Sequence, residues 1–361
     1  MKNKRFLLFI SIFLLLAIAL SGCTGGSTRM AAAGWAGIVA DEETAYLAYE
    51  SYVYAIALDS GLERWRFPAE ADPKISFYAA PELTNDGQLI IGGYNNIIYS
   101  LNPVNGQLNW TFEQSEGRFI GGPLATENGI FAPSTDHYLY ALGFNGQPLW
   151  PAFETGEQIW TAPATDFECA CIYVASMDHR IYAIDSQSGN EAWKTNDLGG
   201  AIVGTPTLSL DRKLYTGTFA KEIIALDAKN GNELWRFATQ DWVWSGPALD
   251  ETALYVGDLS GTFYAIDQKT GHQLWQIQTT SSIVGKPLVA DGTIYFTNEE
   301  GSITAIDSNG STRWSQPIEG STHAGPIAAG ELILVATSSP ETLLVAYNAN
   351  GTQKWHFGEA Q

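Results

Sequence analysis

Eight tryptophans recur at nearly constant intervals between residues 65 and 355 of the 361-residue chain, and this repeat limits the possible folds more than any other feature. The successive Trp-to-Trp steps are 45, 40, 43, 42, 40, 39 and 41 residues. Each Trp follows an apolar pair, a small residue, another apolar residue and a turn that ends in glycine. Internal repeats of this length are typical of solenoids and propellers. The repeat tryptophans are Trp65, Trp110, Trp150, Trp193, Trp235, Trp275, Trp314 and Trp355.

A second marker, proline, keeps the same phase. It recurs every 39 to 43 residues before a short apolar stretch, and the first unit has Gly37 at the corresponding place. Because proline cannot donate a ladder hydrogen bond, a proline at a fixed place indicates the start or the edge of a strand. Turn residues divide each unit into four short strands, and no segment has a helical period. The prolines are Pro81, Pro123, Pro163, Pro206, Pro247, Pro287 and Pro326.

These repeats predict an all-β fold: an eight-bladed β-propeller of four-stranded antiparallel blades that spans residues 33–361. One four-stranded sheet cannot bury both faces alone, so neighbouring blades must pack face to face around an axis. We expect the repeat tryptophans to lie fully buried between blades. A strand near residues 34–40 would complete the first unit, so the ring can close without exchanging a strand between the chain ends. WD-type repeats are the rival, but the sequence has no Trp-Asp dipeptide.

The N-terminus reads as a targeting segment. Basic residues precede a run from Phe6 to Leu20 that is apolar except for Ser11, which is short for a membrane span and suits a signal peptide. The following Leu-Ser-Gly-Cys, ending at Cys23, resembles the lipobox of bacterial lipoproteins. The resemblance implies a signal peptide at 1–22, a lipid on Cys23, a flexible tether at 23–32, and export to a membrane surface outside the cytoplasm. The alternative is an ordinary signal peptide.

The charge of the chain narrows the choice of partner. Without residues 1–22 it would carry 16 Lys and Arg, which is 19 less the three in that segment, against 39 Asp and Glu, for a formal charge of −23. A surface of this sign repels phosphate backbones, so we expect no nucleic acid partner. We expect a monomer that binds envelope proteins with a basic patch and reaches the membrane through the lipid on Cys23.

Two cysteines remain after Cys23. Cys169 and Cys171 are two residues apart, and an extended chain would place their Cα atoms near the upper limit of about 6.8 Å for a disulfide. We expect them to be free thiols around a turn. A metal site needs more ligands than this spacing supplies, and the five histidines fall in different units, so we expect no metal.

The stretch from Ala265 to Trp275, Ala-Ile-Asp-Gln-Lys-Thr-Gly-His-Gln-Leu-Trp, resembles the tryptophan-docking motif of pyrroloquinoline-quinone-type repeat propellers. Within that family the chain is similar to the lipoprotein group of outer-membrane protein assembly factor B. The resemblance implies a non-catalytic scaffold without a cofactor. Catalytic quinoprotein dehydrogenases of the family are longer and often carry an adjacent Cys-Cys pair that this sequence lacks. We interpret the repeated acids or amides of the motif as turn acceptors: Asp59, Asn102, Asp185, Asp227, Asp307 and Asn348.

A further group of residues exceeds the structural repeat. Four tryptophans outside the anchors lie just before the prolines or Gly37, where the innermost strand of a blade begins. Exposed aromatic rings beside polar groups are typical of binding surfaces, although the same residues could simply plug a channel. A protein-binding scaffold is the first hypothesis; a small-molecule or glycan-binding propeller is the second, and a quinoprotein oxidoreductase the third. The candidate surface at the channel mouth comprises Trp35, Tyr78, Arg118, Trp160, Trp242, Trp244 and His323.

Overall fold

The structure, a computed structural model, describes residues 36–166 and 168–358. Their 32 β-strands form eight separate four-stranded antiparallel sheets. Each sheet uses four strands that are consecutive in the chain, which confirms the predicted eight-bladed propeller. None of the helices among the described residues is long and apolar enough to cross a membrane.

The first four blades occupy residues 37–194. Blade 1 comprises β1 Gly37–Ala40, β2 Thr44–Tyr49, β3 Tyr52–Ala57 and β4 Glu63–Phe67; blade 2 comprises β5 Glu82–Leu83, β6 Leu89–Gly92, β7 Ile98–Leu101 and β8 Leu108–Phe112; blade 3 comprises β9 Leu124–Thr126, β10 Gly129–Pro133, β11 Tyr138–Leu142 and β12 Phe153–Glu154; blade 4 comprises β13 Ala164–Asp166, β14 Cys171–Ala175, β15 Ile181–Asp185 and β16 Glu191–Lys194.

The last four blades occupy residues 207–357, with one short 3₁₀ helix, η1, in blade 8. Blade 5 comprises β17 Thr207–Leu208, β18 Lys213–Thr218, β19 Glu222–Asp227 and β20 Glu233–Ala238; blade 6 comprises β21 Ala248–Leu249, β22 Ala253–Gly257, β23 Thr262–Asp267 and β24 Gln273–Gln278; blade 7 comprises β25 Leu288–Ala290, β26 Thr293–Asn298, β27 Ser302–Ile306 and β28 Thr312–Pro317; blade 8 comprises β29 Ile327–Ala329, β30 Leu332–Ala336, η1 Pro340–Thr342, β31 Leu344–Asn348 and β32 Gln353–Phe357.

The strands of each blade differ in burial because they lie at different distances from the axis. In blades 2 to 8 the innermost strand begins directly after the repeat proline, as the missing N–H of proline predicts. The two middle strands are almost wholly buried, and the outermost strand alternates between exposed and half-buried residues. Each blade therefore turns one edge to the axis and the other to solvent.

Apolar side chains fill the spaces between blades. Among the described residues they form eight clusters, and each cluster joins one blade to the next. The cluster between blades 8 and 1 includes Leu47 and Tyr54 from the first blade and Leu334 and Leu344 from the last. The ring therefore closes through side-chain packing between two complete blades, without an exchanged strand.

The repeat tryptophans connect the blades in a regular way. Trp235, on the outermost strand of blade 5, lies flat against Gly271 in the turn of blade 6, and its indole Nε1 donates to the carbonyl of Gln268 at 3.0 Å. Its partner across the blade is Ala225, whose small side chain leaves room for the ring. From Trp65 to Trp355, the eight acceptor carbonyls are those of Pro103, Phe144, Ser186, Ala228, Gln268, Ser308, Ala349 and Leu58.

The expectation of full burial was wrong for most of these rings. Trp150 and Trp355 are 7% and 9% exposed, whereas the other six are only half-buried. At these six outer-strand positions one face of the indole covers the glycine turn of the next blade, and part of the ring stays open to solvent. The rings therefore join blades at the perimeter, and the interblade clusters supply the buried core.

The expectation of free thiols was also wrong, because Cys169 and Cys171 form a disulfide. The intervening Ala170 has a φ of 52°, in the left-handed region, and this tight turn brings the two Cα atoms to 5.1 Å. That separation is within the usual range for a disulfide. The expectation rested on an extended chain, and the local backbone is a turn.

Candidate functional site

The chain segments before the repeat prolines surround a cavity on the propeller axis. The cavity has a volume of about 490 Å³ and receives side chains or backbone from all eight blades. The residue three positions before each proline faces it in every case. These lining residues are Tyr78, Ile120, Trp160, Val203, Trp244, Val284 and His323.

Glycine residues allow neighbouring inner segments of the channel wall to lie in close backbone contact. A Cβ atom on Gly246 would overlap the carbonyl oxygen of Thr205, and one on Gly325 would overlap the carbonyl oxygen of Lys286. Adjacent inner segments therefore touch through their backbones, and only glycine permits this approach. As a result, the few large side chains on the wall decide the shape and chemistry of the lumen.

The aromatic residues of the wall are held by local contacts. Trp160 donates from its indole Nε1 to the side-chain oxygen of Gln158 at 2.7 Å. The ring of Trp244 packs against Phe219 with a centroid distance of 5.2 Å. Both rings are half-buried, so each keeps an accessible part. The cavity is thus lined by a few fixed aromatic side chains, and backbone and small side chains form most of the rest of its wall.

His323 adds a titratable group to the lining. Its Nε2 lies 3.5 Å from a carboxylate oxygen of Glu299. Burial lowers the pKa of His323, and the negative charge of Glu299 opposes that shift without reversing it. At neutral pH the imidazole is therefore mainly uncharged.

Arg118 and Trp242 lie beside the cavity and do not line it. Both stand five positions before a repeat proline, so they occupy equivalent places at the same end of the channel. The guanidinium of Arg118 lies 5.1 Å from the ring centre of Tyr94, and Trp242 stacks on Phe219 at 4.8 Å with 13° between the planes. We call Tyr94, Arg118, Phe219 and Trp242 the aromatic rim. Trp242 is 44% exposed, an unusual amount for so large an apolar side chain.

Two predicted residues fall outside the part of the chain that the structure describes. Trp35, assigned to the channel mouth, directly precedes the first described residue. Cys23, assigned to lipid attachment, also lies before it. Their roles stay predictions.

The sequence reasoning missed Lys286, which lies in the channel wall. It directly precedes Pro287, a place where the other six units have small residues: Ala80, Gly122, Ala162, Thr205, Gly246 and Gly325. Lys286 is exposed to the lumen, yet protein surrounds the rest of its side chain, and this burial lowers its pKa. The exception to the small-residue pattern was the signal that could have identified it.

The motif acids of blades 4 and 6 behave as turn acceptors. Asp185 accepts from the backbone N–H and the hydroxyl of Ser188, and Asp267 accepts the same pair of bonds from Thr270. These bonds lower the pKa of both carboxyl groups. Within the described residues no group of three or more His, Cys, Asp or Glu side chains is arranged to hold a metal ion.

Solved structures of low sequence identity share this architecture. BamB from Moraxella catarrhalis aligns with a TM-score of 0.71 and 16% identity over 86% of this chain and 94% of its own. The computationally designed Ika8 protein aligns with a TM-score of 0.73 and 14% identity over 90% and 96%. A europium-containing methanol dehydrogenase aligns with a TM-score of 0.68 and 13% identity over 83% and 81%. At these identities the likeness shows the fold alone.

A match to a sequence family shows the relationship of this chain, which fold similarity at these identities cannot show. The family of the outer membrane protein assembly factor BamB matches residues 49–196, 145–241 and 220–357. No curated protein matches the chain. The family match spans the repeats of all eight blades, from the second strand of blade 1 to the last strand of blade 8. This chain therefore belongs to the family of the outer membrane protein assembly factor BamB.

Proposed function

We propose that this protein is a non-catalytic, lipid-anchored scaffold that binds an envelope protein during outer-membrane protein assembly. Membership of the BamB family supports the setting. The lipid on Cys23 would hold the propeller at the membrane surface, and the tether at 23–32 would let it turn toward a partner. The propeller acts as a monomer in this proposal.

The observation that carries the proposal is the exposed aromatic rim at the channel mouth. Phe219 holds Trp242 in a parallel stack, and Tyr94 supports the guanidinium of Arg118. Side chains fixed in this way lose little further freedom on binding, and Trp, Tyr and Arg supply most of the binding energy in protein interfaces. The rim therefore has the composition and the rigidity of an interface core.

Charge would select the partner. The acidic surface of the mature chain favours an approaching protein that carries a basic patch and disfavours other acidic proteins. This long-range attraction would speed the encounter, and the aromatic rim would hold the complex. Added salt should accordingly slow association more than it speeds dissociation.

The test is partner capture from membranes. The full chain is expressed in an envelope-bearing host, crosslinked, purified, and compared with the double variant Trp242→Ala plus Arg118→Ala. We expect at least one basic envelope protein to co-purify with the wild type and to be lost with the double variant, because both anchors of the rim are removed.

Leu210→Ala is the matched control. Leu210 is fully exposed in the turn between β17 and β18, at the end of the strand away from the channel mouth. It should leave capture unchanged. Capture by the rim variant at the wild-type level, with equal thermal stability, would exclude the rim as the binding surface.

A further inference from the structure

The side chain of Lys286 reaches past blade 6 to blade 5. It belongs to blade 7, and its ammonium Nζ lies 3.1 Å from the hydroxyl of Thr207, on the innermost strand of blade 5. Thr207 in turn donates from that hydroxyl to the carbonyl of Pro247 at 2.7 Å. Because its own proton is directed to Pro247, Thr207 presents a lone pair to Lys286. The ammonium is thus held at a defined point inside the lumen.

The ammonium has more donors than the wall has acceptors. A lysine ammonium carries three N–H donors, and Thr207 is its one hydrogen-bond acceptor among the described residues. No carboxylate belongs to the described lining of the cavity, and Lys286 is its one formally charged side chain. Two donors of a positive group therefore face the open volume.

A second polar group of the same wall also lacks a partner. Ser245 is 6% exposed, and its hydroxyl oxygen has no hydrogen-bond partner among the described residues. Buried hydroxyl groups are nearly always hydrogen-bonded, so an unused one indicates a missing acceptor or donor. Ser245 and Lys286 both line the cavity, but the hydroxyl oxygen of Ser245 is itself sealed from it, so Lys286 is the polar group that faces the open volume.

We propose that the channel binds a small organic carboxylate. Its negative group pairs with Lys286, and its apolar part lies against Trp160 and Trp244 at the mouth. A volume of about 490 Å³ lies within the range of small-molecule sites, which combine apolar walls with a few fixed polar groups. This inference stands independently of the scaffold function, because the aromatic rim lies outside the cavity.

The test uses two probes of closely similar shape, one an anion and the other neutral. Binding of indole-3-acetate and of its neutral amide, indole-3-acetamide, to the full chain in detergent is measured by calorimetry. Because the acetate adds a charge-assisted hydrogen bond, we expect it to bind about tenfold more tightly than the amide, or better. Equal affinities, or no binding of either probe at millimolar concentration, would overturn the proposal.

Variants place the effect at one residue. Lys286→Met should remove the preference for the acetate, and Lys286→Arg should retain part of it. Lys229→Met makes the same charge change at an exposed turn and should bind like the wild type. A Lys286→Met protein that melts normally and keeps the preference would overturn the proposal. The wild-type comparison of the two probes decides the matter even if that variant does not fold.

Discussion

The indole Nε1 of Trp355 donates a 2.8 Å hydrogen bond to the carbonyl oxygen of Leu58. Trp355 lies on the last strand of the last blade, and Leu58 directly follows the third strand of the first. Gly61 lies under the indole ring, just as a glycine does in the seven other contacts of this kind. This contact, together with the cluster between blades 8 and 1, holds the two ends of the propeller together.

Loss of this indole should destabilise the protein strongly. Trp355 is 9% exposed, so Trp355→Ala removes a large buried side chain as well as the hydrogen bond that joins the ends of the ring. We expect a loss of about 3–5 kcal/mol in the free energy of unfolding, measured by urea unfolding followed by circular dichroism. Trp275→Ala, at a half-buried ring inside the series, should cost less. Equal losses of unfolding free energy in the two variants would mean that the contact between the ends of the ring contributes no more than an ordinary contact between blades.

The glycine under each indole should be irreplaceable for two separable reasons. Gly271 has a φ of 71°, and a Cβ there would lie 2.7 Å from the ring of Trp235. Gly292 has a φ of 68° but open space around it. Gly292→Ala should cost about 1–2 kcal/mol from backbone strain alone, and Gly271→Ala clearly more, because the indole must also move. Equal urea midpoints for the two variants would contradict the steric part.

The fold could be predicted because its determinants are residues with few alternatives. A glycine under an indole, a small residue opposite a tryptophan and, in blades 2 to 8, a proline before the inner strand are required by contacts that recur from blade to blade. The spacing of these residues in the sequence therefore predicts the number and the strand content of the blades. The burial of the rings could not be read in the same way, since the spacing does not tell which face of an outer strand meets solvent.

The site was less accessible to sequence reasoning. Counting back from the prolines found Trp160 and Trp244 in the channel wall. It did not separate the wall from the rim, because two positions along the chain move a side chain from the lumen to the mouth. Lys286 was missed because a single lysine has no motif, and its partner Thr207 is 79 residues away in the chain. The disulfide depended on the backbone angle of one alanine.

The network around Asp136 should make stability fall at acid pH. Burial opposes ionisation of Asp136, but donors that include the Tyr140 hydroxyl at 2.8 Å and the Ser115 hydroxyl at 2.8 Å lower its pKa below the usual 3.8. The carboxylate therefore stabilises the fold above pH 3.8, and this contribution is lost as the pH falls through the lower, folded-state pKa.

Asp136→Asn tests this dependence. The variant should be about 1.5–3 kcal/mol less stable than the wild type at pH 7, as expected for the loss of hydrogen bonds to a charged group. The difference should shrink below pH 4 in urea titrations at each pH. Asp59→Asn, at an exposed turn, is the control and should track the wild type. A constant gap at all pH values would mean that Asp136 contributes through packing alone.

An ion pair between blades 4 and 5 should contribute more to the free energy of unfolding than the neighbouring disulfide does. Arg212 lies 2.8 Å from a carboxylate oxygen of Asp166, which is 3% exposed and also accepts from the hydroxyl of Tyr173 at 3.2 Å. Arg212→Met would leave that buried carboxylate without its cation, at a cost of about 3 kcal/mol. The bridge from Cys169 to Cys171 closes a very short loop, so Cys169→Ser with Cys171→Ser should cost at most about 1.5 kcal/mol. The reverse order of urea midpoints would contradict this account.

Lys286 should reduce the stability of the unliganded protein. Burial lowers its pKa below the usual 10.5, which means that the folded state holds the proton less well than the unfolded chain does. The cost is fully present below the folded-state pKa and disappears as the pH rises from there to 10.5. His323, mainly uncharged at neutral pH, is the other titratable basic group of the described lining, and no carboxylate there compensates the ammonium.

Lys286→Met should be at least as stable as the wild type at pH 7, and its advantage should narrow in urea titrations from pH 9 to 10.5. A clear loss of stability at pH 7 would show that the bond to Thr207 outweighs burial, and the lysine would then be a structural residue.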